Sequence, residues 1–219
     1  MAELEPIGET VKRVGNCPPG TDTRPLKSIE EPEDTLVSPI GKYSFGVSDP
    51  AHTFKTFKKL AGTAETFKAF QDLAEGNGPP LLLSYGGVGN GKSHLMDALA
   101  IRLAERHIRS ILWVVPDFLS YLRRLMSPEH PGRLDAVIEN YQTGTGAVLF
   151  DDFKLEYGSR WEESVMERII CGRYRSRSMT VVTTNRDLDE LPERVVSRFY
   201  EPGLGRVVLN QGADFRRRG

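Results

Sequence analysis

Apolar residues in this chain fall into short unbroken runs, separated by longer stretches in which they return every three or four positions. The runs are Leu81-Leu82-Leu83-Ser84-Tyr85, Ile111 to Val115, Ala147-Val148-Leu149-Phe150, Met179 to Thr183 and Arg206 to Leu209. Short runs of apolar and β-branched residues bounded by turn formers read as strands, here buried on both faces. Between them, His94 to Arg106, Phe118 to Met126, Leu134 to Tyr141 and Arg160 to Tyr174 carry helical spacing. Strands alternating with helices predict an α/β fold, a parallel sheet with helices on each side. Ahead of the first strand, Phe67, Phe70 and Leu73 recur up to Gly76, which predicts an amphipathic helix; Phe54 and Phe57 also lie at helical spacing. Pro116 stops the strand that precedes it.

Residues 1 to 50 break the pattern. They contain Pro6, Pro18, Pro19, Pro25, Pro32, Pro39 and Pro50 and no sustained periodicity. The chain therefore divides into an extended or disordered arm over 1–50 and a folded domain over 51–219. The arm reads either as a partner-binding segment or as a solvated tail.

Composition narrows the class. The 219 residues are 39% hydrophobic and 27% charged, which suits one α/β domain with a real core. No apolar run approaches the length of a membrane span, and the acidic, proline-containing N-terminus does not read as a secretory signal. Cys17 and Cys171 stand alone, without a CxxC pair or histidines in metal-ligand spacing. They are expected to be reduced thiols of a cytoplasmic protein, with no structural zinc. The net charge of −1 provides no global attraction to nucleic acid, so DNA contact needs a local patch. Residues 28–34 are acidic, whereas the tail ends Arg216-Arg217-Arg218.

The chemistry is concentrated at Gly86-Gly87-Val88-Gly89-Asn90-Gly91-Lys92-Ser93, which fits G-x-x-x-x-G-K-[ST] between a strand and a helix. The alternative for such a stretch is a flexible glycine turn with an incidental lysine. In the strand–loop–helix setting, the glycines let successive backbone N–H groups curl round a polyphosphate, and the helix dipole adds positive charge. Lys92 is then expected to reach the β and γ phosphates, and the Ser93 hydroxyl to hold Mg²⁺.

Asp151 and Asp152 follow the apolar strand ending at Phe150. Carboxylates at the end of a buried parallel strand face the crevice that the glycine loop also faces. Asp151 suits Mg²⁺, directly or through water, and Asp152 suits orienting or deprotonating a water molecule. Aspartates after strands also serve as turn or cap residues. Asn185 ends the next strand, placed either to reach the γ-phosphate or simply to make a turn. Arg194 and Arg198 share one face of a short helix. They read as surface salt-bridge residues or as arginines reaching a neighbouring subunit's nucleotide.

Together, Gly-Gly-Val-Gly-Asn-Gly-Lys-Ser-His-Leu, Val-Leu-Phe-Asp-Asp-Phe, Thr-Thr-Asn and Arg-Val-Val-Ser-Arg-Phe resemble the AAA+ ATPases of the DnaC/DnaI helicase-loader group, which includes the IstB-type transposition helpers. The resemblance spans about residues 52 to 218 and takes in Phe54, Phe57, Trp161, Arg173-Tyr174 and Asp214-Phe215-Arg216. It implies a P-loop NTPase fold of AAA+ type. It further implies that Gly86, Gly87, Val88, Gly89, Asn90, Gly91, Lys92, Ser93 and His94 bind ATP and that Ser93 and Asp151 hold Mg²⁺. By the same resemblance Asp152 and Asn185 are catalytic, and Arg198 with Arg194 acts in trans. The implied assembly is an ATP-assisted ring or spiral on single-stranded DNA with a replicative helicase as partner. Hydrolysis of ATP to ADP and phosphate is expected to be weak in the monomer and stimulated by partner or DNA.

The sequence departs from the family where many loaders carry Asp-Glu instead of Asp151-Asp152. Met179 replaces a proline common before the strand that leads to Asn185, the N-terminal cysteine cluster of some loaders is missing, and residues 199–219 are too few for a C-terminal helical lid. Three functions compete: a helicase loader, a transposition helper that binds duplex DNA, and a nucleotide-binding scaffold of negligible turnover. Arg173, Arg175 and Arg177 are candidate DNA-phosphate contacts, or cations that complement a helix C-terminus.

Overall fold

Six short strands pair in parallel to form one sheet: β1 (Ser44–Phe45), β2 (Leu81–Tyr85), β3 (Ser110–Val114), β4 (Ala147–Asp151), β5 (Thr180–Thr184) and β6 (Gly205–Leu209). Their order is β1-β3-β4-β5-β2-β6. This is a computed structural model, and it describes residues 39–126, 131–155 and 159–215. Cys17, the Arg216–Arg218 run and residues 1–38 of the expected arm lie outside the described residues.

The helices are α1 (Pro39–Tyr43), α2 (Ala64–Glu75), α3 (Lys92–Glu105), α4 (Val115–Arg124), α5 (Arg133–Thr143), α6 (Arg160–Arg175) and α7 (Glu193–Phe199). The strands alternate their side chains between two cores. Val148 and Phe150 of β4 face Phe118, Tyr141, Ile169 and Phe199 from α4 to α7, while Ala147 and Leu149 face Phe70, Leu99 and Leu103 from α2 and α3. A strand flanked on both faces has little room for charge, which is why these segments read as runs of apolar residues with buried Ser84, Thr180, Thr183 and Thr184 among them. Among the described residues no helix is long and apolar enough to cross a membrane.

Elsewhere the fold departs from the sequence expectations. Pro116 lies in the first turn of α4, directly after β3, where its missing N–H leaves no bond unmade. Phe54 sits in a turn and Phe57 just past it, neither in a helix. Residues 39–45, expected within the extended arm, instead form α1 and β1. Ser44 pairs with Ser110 across the sheet edge, and α1 lies against α3. A two-residue strand carries no periodic signal to read.

Arg173 corrects another expectation. It is fully buried and out of reach of DNA. Its guanidinium donates to Thr180 Oγ1 (2.8 Å) and to the carbonyls of Tyr141 (3.0 Å), Gly146 (2.7 Å) and Met179 (2.8 Å). It thereby ties α6 to the end of α5 and to the starts of β4 and β5. Burial pushes its pKa down to about 10. Arg175 and Arg177 are exposed.

Candidate nucleotide-binding site

The strand order brings the candidate residues together. Because β5 lies between β2 and β4, the segments leaving the C-terminal ends of these three strands converge on one crevice. They line a cavity of about 810 Å³ to which Lys92, Ser93, Asp151, Asp152 and Asn185 all contribute. That volume suits a nucleotide-sized ligand.

The glycine loop runs straight into α3, whose first residue is Lys92. At Gly91, φ is +90°, and a Cβ would lie 2.7 Å from the Phe57 ring, so glycine is required for the loop to close on that ring. Lys92 Nζ donates to the carbonyls of Gly86 (2.7 Å) and Gly87 (2.7 Å) and to Asn90 Oδ1 (3.0 Å). Burial pushes the Lys92 ammonium down to about 8, with Asp151 and Asp152 pulling in the opposite direction. Ser93 is exposed in the first turn of α3, and Val88 stands out from the loop. Backbone amides at a helix N-terminus suit a polyphosphate, and a hydroxyl and a carboxylate in the same cavity suit Mg²⁺, a hard cation that takes oxygen ligands.

Asp151 is buried, and its Oδ1 accepts from the Thr183 hydroxyl. Asp152 takes a left-handed backbone conformation (φ 51°), which aspartate tolerates better than most residues. Both of its carboxylate oxygens are engaged. Oδ1 accepts from Asn185 Nδ2 at 3.1 Å, and Oδ2 pairs with Lys154 Nζ at 2.8 Å.

His94 lines the cavity, but its Nε2 donates to the Thr53 carbonyl (2.9 Å) and its ring stacks on His52 at 4.3 Å. It thereby holds the loop ahead of α2 while its ring stays in the cavity lining. The neighbouring turn is fixed by Asp97, which is buried in α3. It accepts from Ser48 N (2.9 Å), Ser48 Oγ (2.5 Å), Asp49 N (3.3 Å) and His52 Nδ1 (2.9 Å).

No family model matches the chain. DnaA of Thermotoga petrophila, a chromosomal replication initiator protein, is 25% identical over 158 residues, which are 69% of this chain and 35% of that protein. DnaA of a Ruegeria species is 34% identical over 133 residues, 49% of this chain and 28% of that protein. The chain thus spans about a third of the length of these curated relatives. Domain III of Thermotoga maritima DnaA is similar in structure, with a TM-score of 0.64 at 25% identity, covering 74% of this chain and 68% of that one. The DnaC helicase loader matches with a TM-score of 0.60 at 23% identity, covering 74% of this chain and 97% of that one. A DnaA structure bound to AMPPCP and single-stranded DNA matches with a TM-score of 0.63 at 22% identity, covering 74% and 50%. The fold is that of a P-loop AAA+ domain.

In this fold the two arginines of α7 stand apart from the cavity. Arg198 lays its guanidinium over the Tyr174 ring at 4.9 Å, on the α6 side, and its Nε is buried without a hydrogen-bond partner. Arg194 is exposed, with Glu167 at 3.7 Å. Neither lines its own chain's cavity. Several residues that shape the site give little sign of it in the sequence. Lys154 lies two positions past Asp152, where its charge was visible but its direction was not. His52, Lys58 and Asp97 carry no motif.

Proposed function

We propose that the protein is an ATP-dependent replication factor that loads the replicative DNA helicase, binding Mg-ATP and single-stranded DNA as an oligomer. The observation that carries this reading is the convergence of Lys92, Ser93, Asp151, Asp152 and Asn185 on one cavity at the ends of β2, β4 and β5. The similarity to DnaC, DnaI and DnaA domains supports a role in replication initiation.

The amides from Gly86 to Ser93 bind the phosphates, and Lys92 leaves the Gly86 and Gly87 carbonyls to meet them. Ser93 and Asp151 would hold Mg²⁺, which when bound would offset charge on the phosphate oxygens. Asp152 orients the attacking water and accepts its proton, and Asn185 positions that carboxylate. Arg198 belongs to the site of the next subunit, where a guanidinium stabilises charge that develops in transfer. Most of the work is positioning and electrostatics, with little covalent chemistry left to the protein.

The test is a pull-down of the host replicative helicase with the full chain in the presence of Mg-ATP, alongside binding to single- and double-stranded DNA. Helicase capture and preference for single strands support the loader. Capture of a transposase with preference for duplex replaces it by the transposition helper. A second reading, a scaffold that binds ATP and hardly turns it over, is favoured by the clamping of Asp152 between Asn185 and Lys154. Steady-state phosphate release that stays at background with both DNA and helicase present selects that reading.

A further inference from the structure

After β6 the chain turns back over the glycine loop and is fastened to it at two points. Asn90 Nδ2 donates to the Asn210 carbonyl (2.9 Å), and Asn210 Nδ2 donates to the Asn90 carbonyl (3.2 Å), a reciprocal clasp between two buried side chains. Further on, the Phe215 N–H donates to the Gly89 carbonyl at 2.9 Å. Gly89 has φ +72°, a conformation that favours glycine, and the Asp214 carboxylate lies directly against it. The clasp also reaches the lysine, because Asn90 Oδ1 accepts from Lys92 Nζ (3.0 Å).

This crossing sets the Phe215 ring in the wall of the nucleotide cavity, 46% exposed. Lys58 Nζ stands 5.1 Å from its centroid. An aromatic ring left half in water gains little from burial within its own chain. Yet the backbone that carries it is pinned to the phosphate loop. The lining divides by chemistry: the loop amides, Lys92, Asp151 and Asp152 serve phosphate and metal, while Ala51, Phe57, Leu60 and Phe215 are apolar. A heteroaromatic base placed in such a cavity takes the apolar part.

We propose that Phe215 is a nucleotide-contacting residue whose ring packs on the base of ATP, and that the Asn90–Asn210 clasp holds it in place. The C-terminal segment from Asn210 to Phe215 is then one wall of the site and not a trailing end. This rests on the reading of the cavity as an ATP site.

The experiment compares calorimetric binding of Mg-ATP and of inorganic tripolyphosphate with Mg²⁺ to the full chain, using wild type, Phe215→Ala, Phe215→Trp and Lys92→Ala. Phe215→Ala is expected to weaken ATP binding by about 10-fold, the scale of base–aromatic stacking, and to leave tripolyphosphate unchanged. Phe215→Trp should restore ATP affinity, and its added fluorescence should change with ATP but not with tripolyphosphate. Equal ATP affinity of wild type and Phe215→Ala overturns the proposal while leaving the ATP site intact. A parallel loss of both ligands also overturns it, since the tail would then act only by supporting the loop. If wild type takes up no ATP, or Lys92→Ala binds it as well as wild type does, the ATP reading itself fails.

Discussion

Asn185 Nδ2 donates to Asp152 Oδ1 at 3.1 Å, joining the residue after β5 to the residue after β4. Lys154 holds the other oxygen of the same carboxylate at 2.8 Å, so the group proposed to accept a proton is engaged on both sides. A carboxylate oxygen already held by an ammonium is less available to a water molecule. Lys154→Met is therefore expected to raise basal ATP turnover without changing ATP affinity. Asp152→Asn should lower turnover by about 10² to 10⁴, the usual contribution of a general base, with Mg-ATP binding retained. Phosphate-release kinetics beside equilibrium binding checks both.

Lys92 makes the stability of the nucleotide-free protein depend on pH. Burial pushes it down to about 8 from the ordinary 10.5, so between these values the unfolded chain holds a proton that the folded chain has released. Stability is therefore expected to rise with pH across this window, by at most about 1.4 kcal/mol per pH unit for one proton. Below about pH 8 both states carry the proton, and this contribution to the slope vanishes. Urea unfolding of wild type and Lys92→Met from pH 7 to 10 reads the difference, and the variant should lose this component of the slope.

Arg173 is a structural residue, and its removal tests that directly. Its guanidinium donates to four carbonyls and one hydroxyl around the ends of α5, β4 and β5, and truncation strips all five acceptors of these donors. Arg173→Ala should cost about 3–5 kcal/mol of stability. DNA affinity of whatever remains folded should be unchanged, whereas Arg175→Ala with Arg177→Ala should weaken DNA binding and reduce its salt dependence. Thermal melts and binding titrations at two salt concentrations separate the two roles.

Arg198 points to α6 and away from its own cavity, with its guanidinium on Tyr174. If it completes the site of a neighbour, Arg198→Ala and Lys92→Ala chains should each be inactive alone. Mixed together they should recover part of the ATPase activity, because some interfaces pair an intact loop with an intact arginine. The absence of recovery at any mixing ratio overturns the shared site.

Much of the architecture was legible in the primary structure because its causes are local. β2, β4 and β5 are covered on both faces, so they show as short runs of apolar and β-branched residues, and Gly86 to Ser93 is one continuous stretch whose spacing is its function. Asp151, Asp152 and Asn185 could be placed because a residue that ends a buried parallel strand has only one crevice to face. β1 was not legible, being too short for any period. Arg173 looked like a surface cation at a helix end, since none of its acceptors lies in a recognisable pattern. His94 carried a motif position, yet its ring spends its hydrogen bond on Thr53.

Periodicity and spacing along the chain determined the strands, the helices and the phosphate loop, because those follow from side-chain direction and backbone geometry within a few residues. Only the folded chain decided which strand lies between which, that Lys154 rests on Asp152, and that Asn210 clasps Asn90 to bring Phe215 over the cavity. These are contacts between chain segments in space. They arise from satisfying buried polar groups across the fold, and no short-range pattern encodes which partners meet.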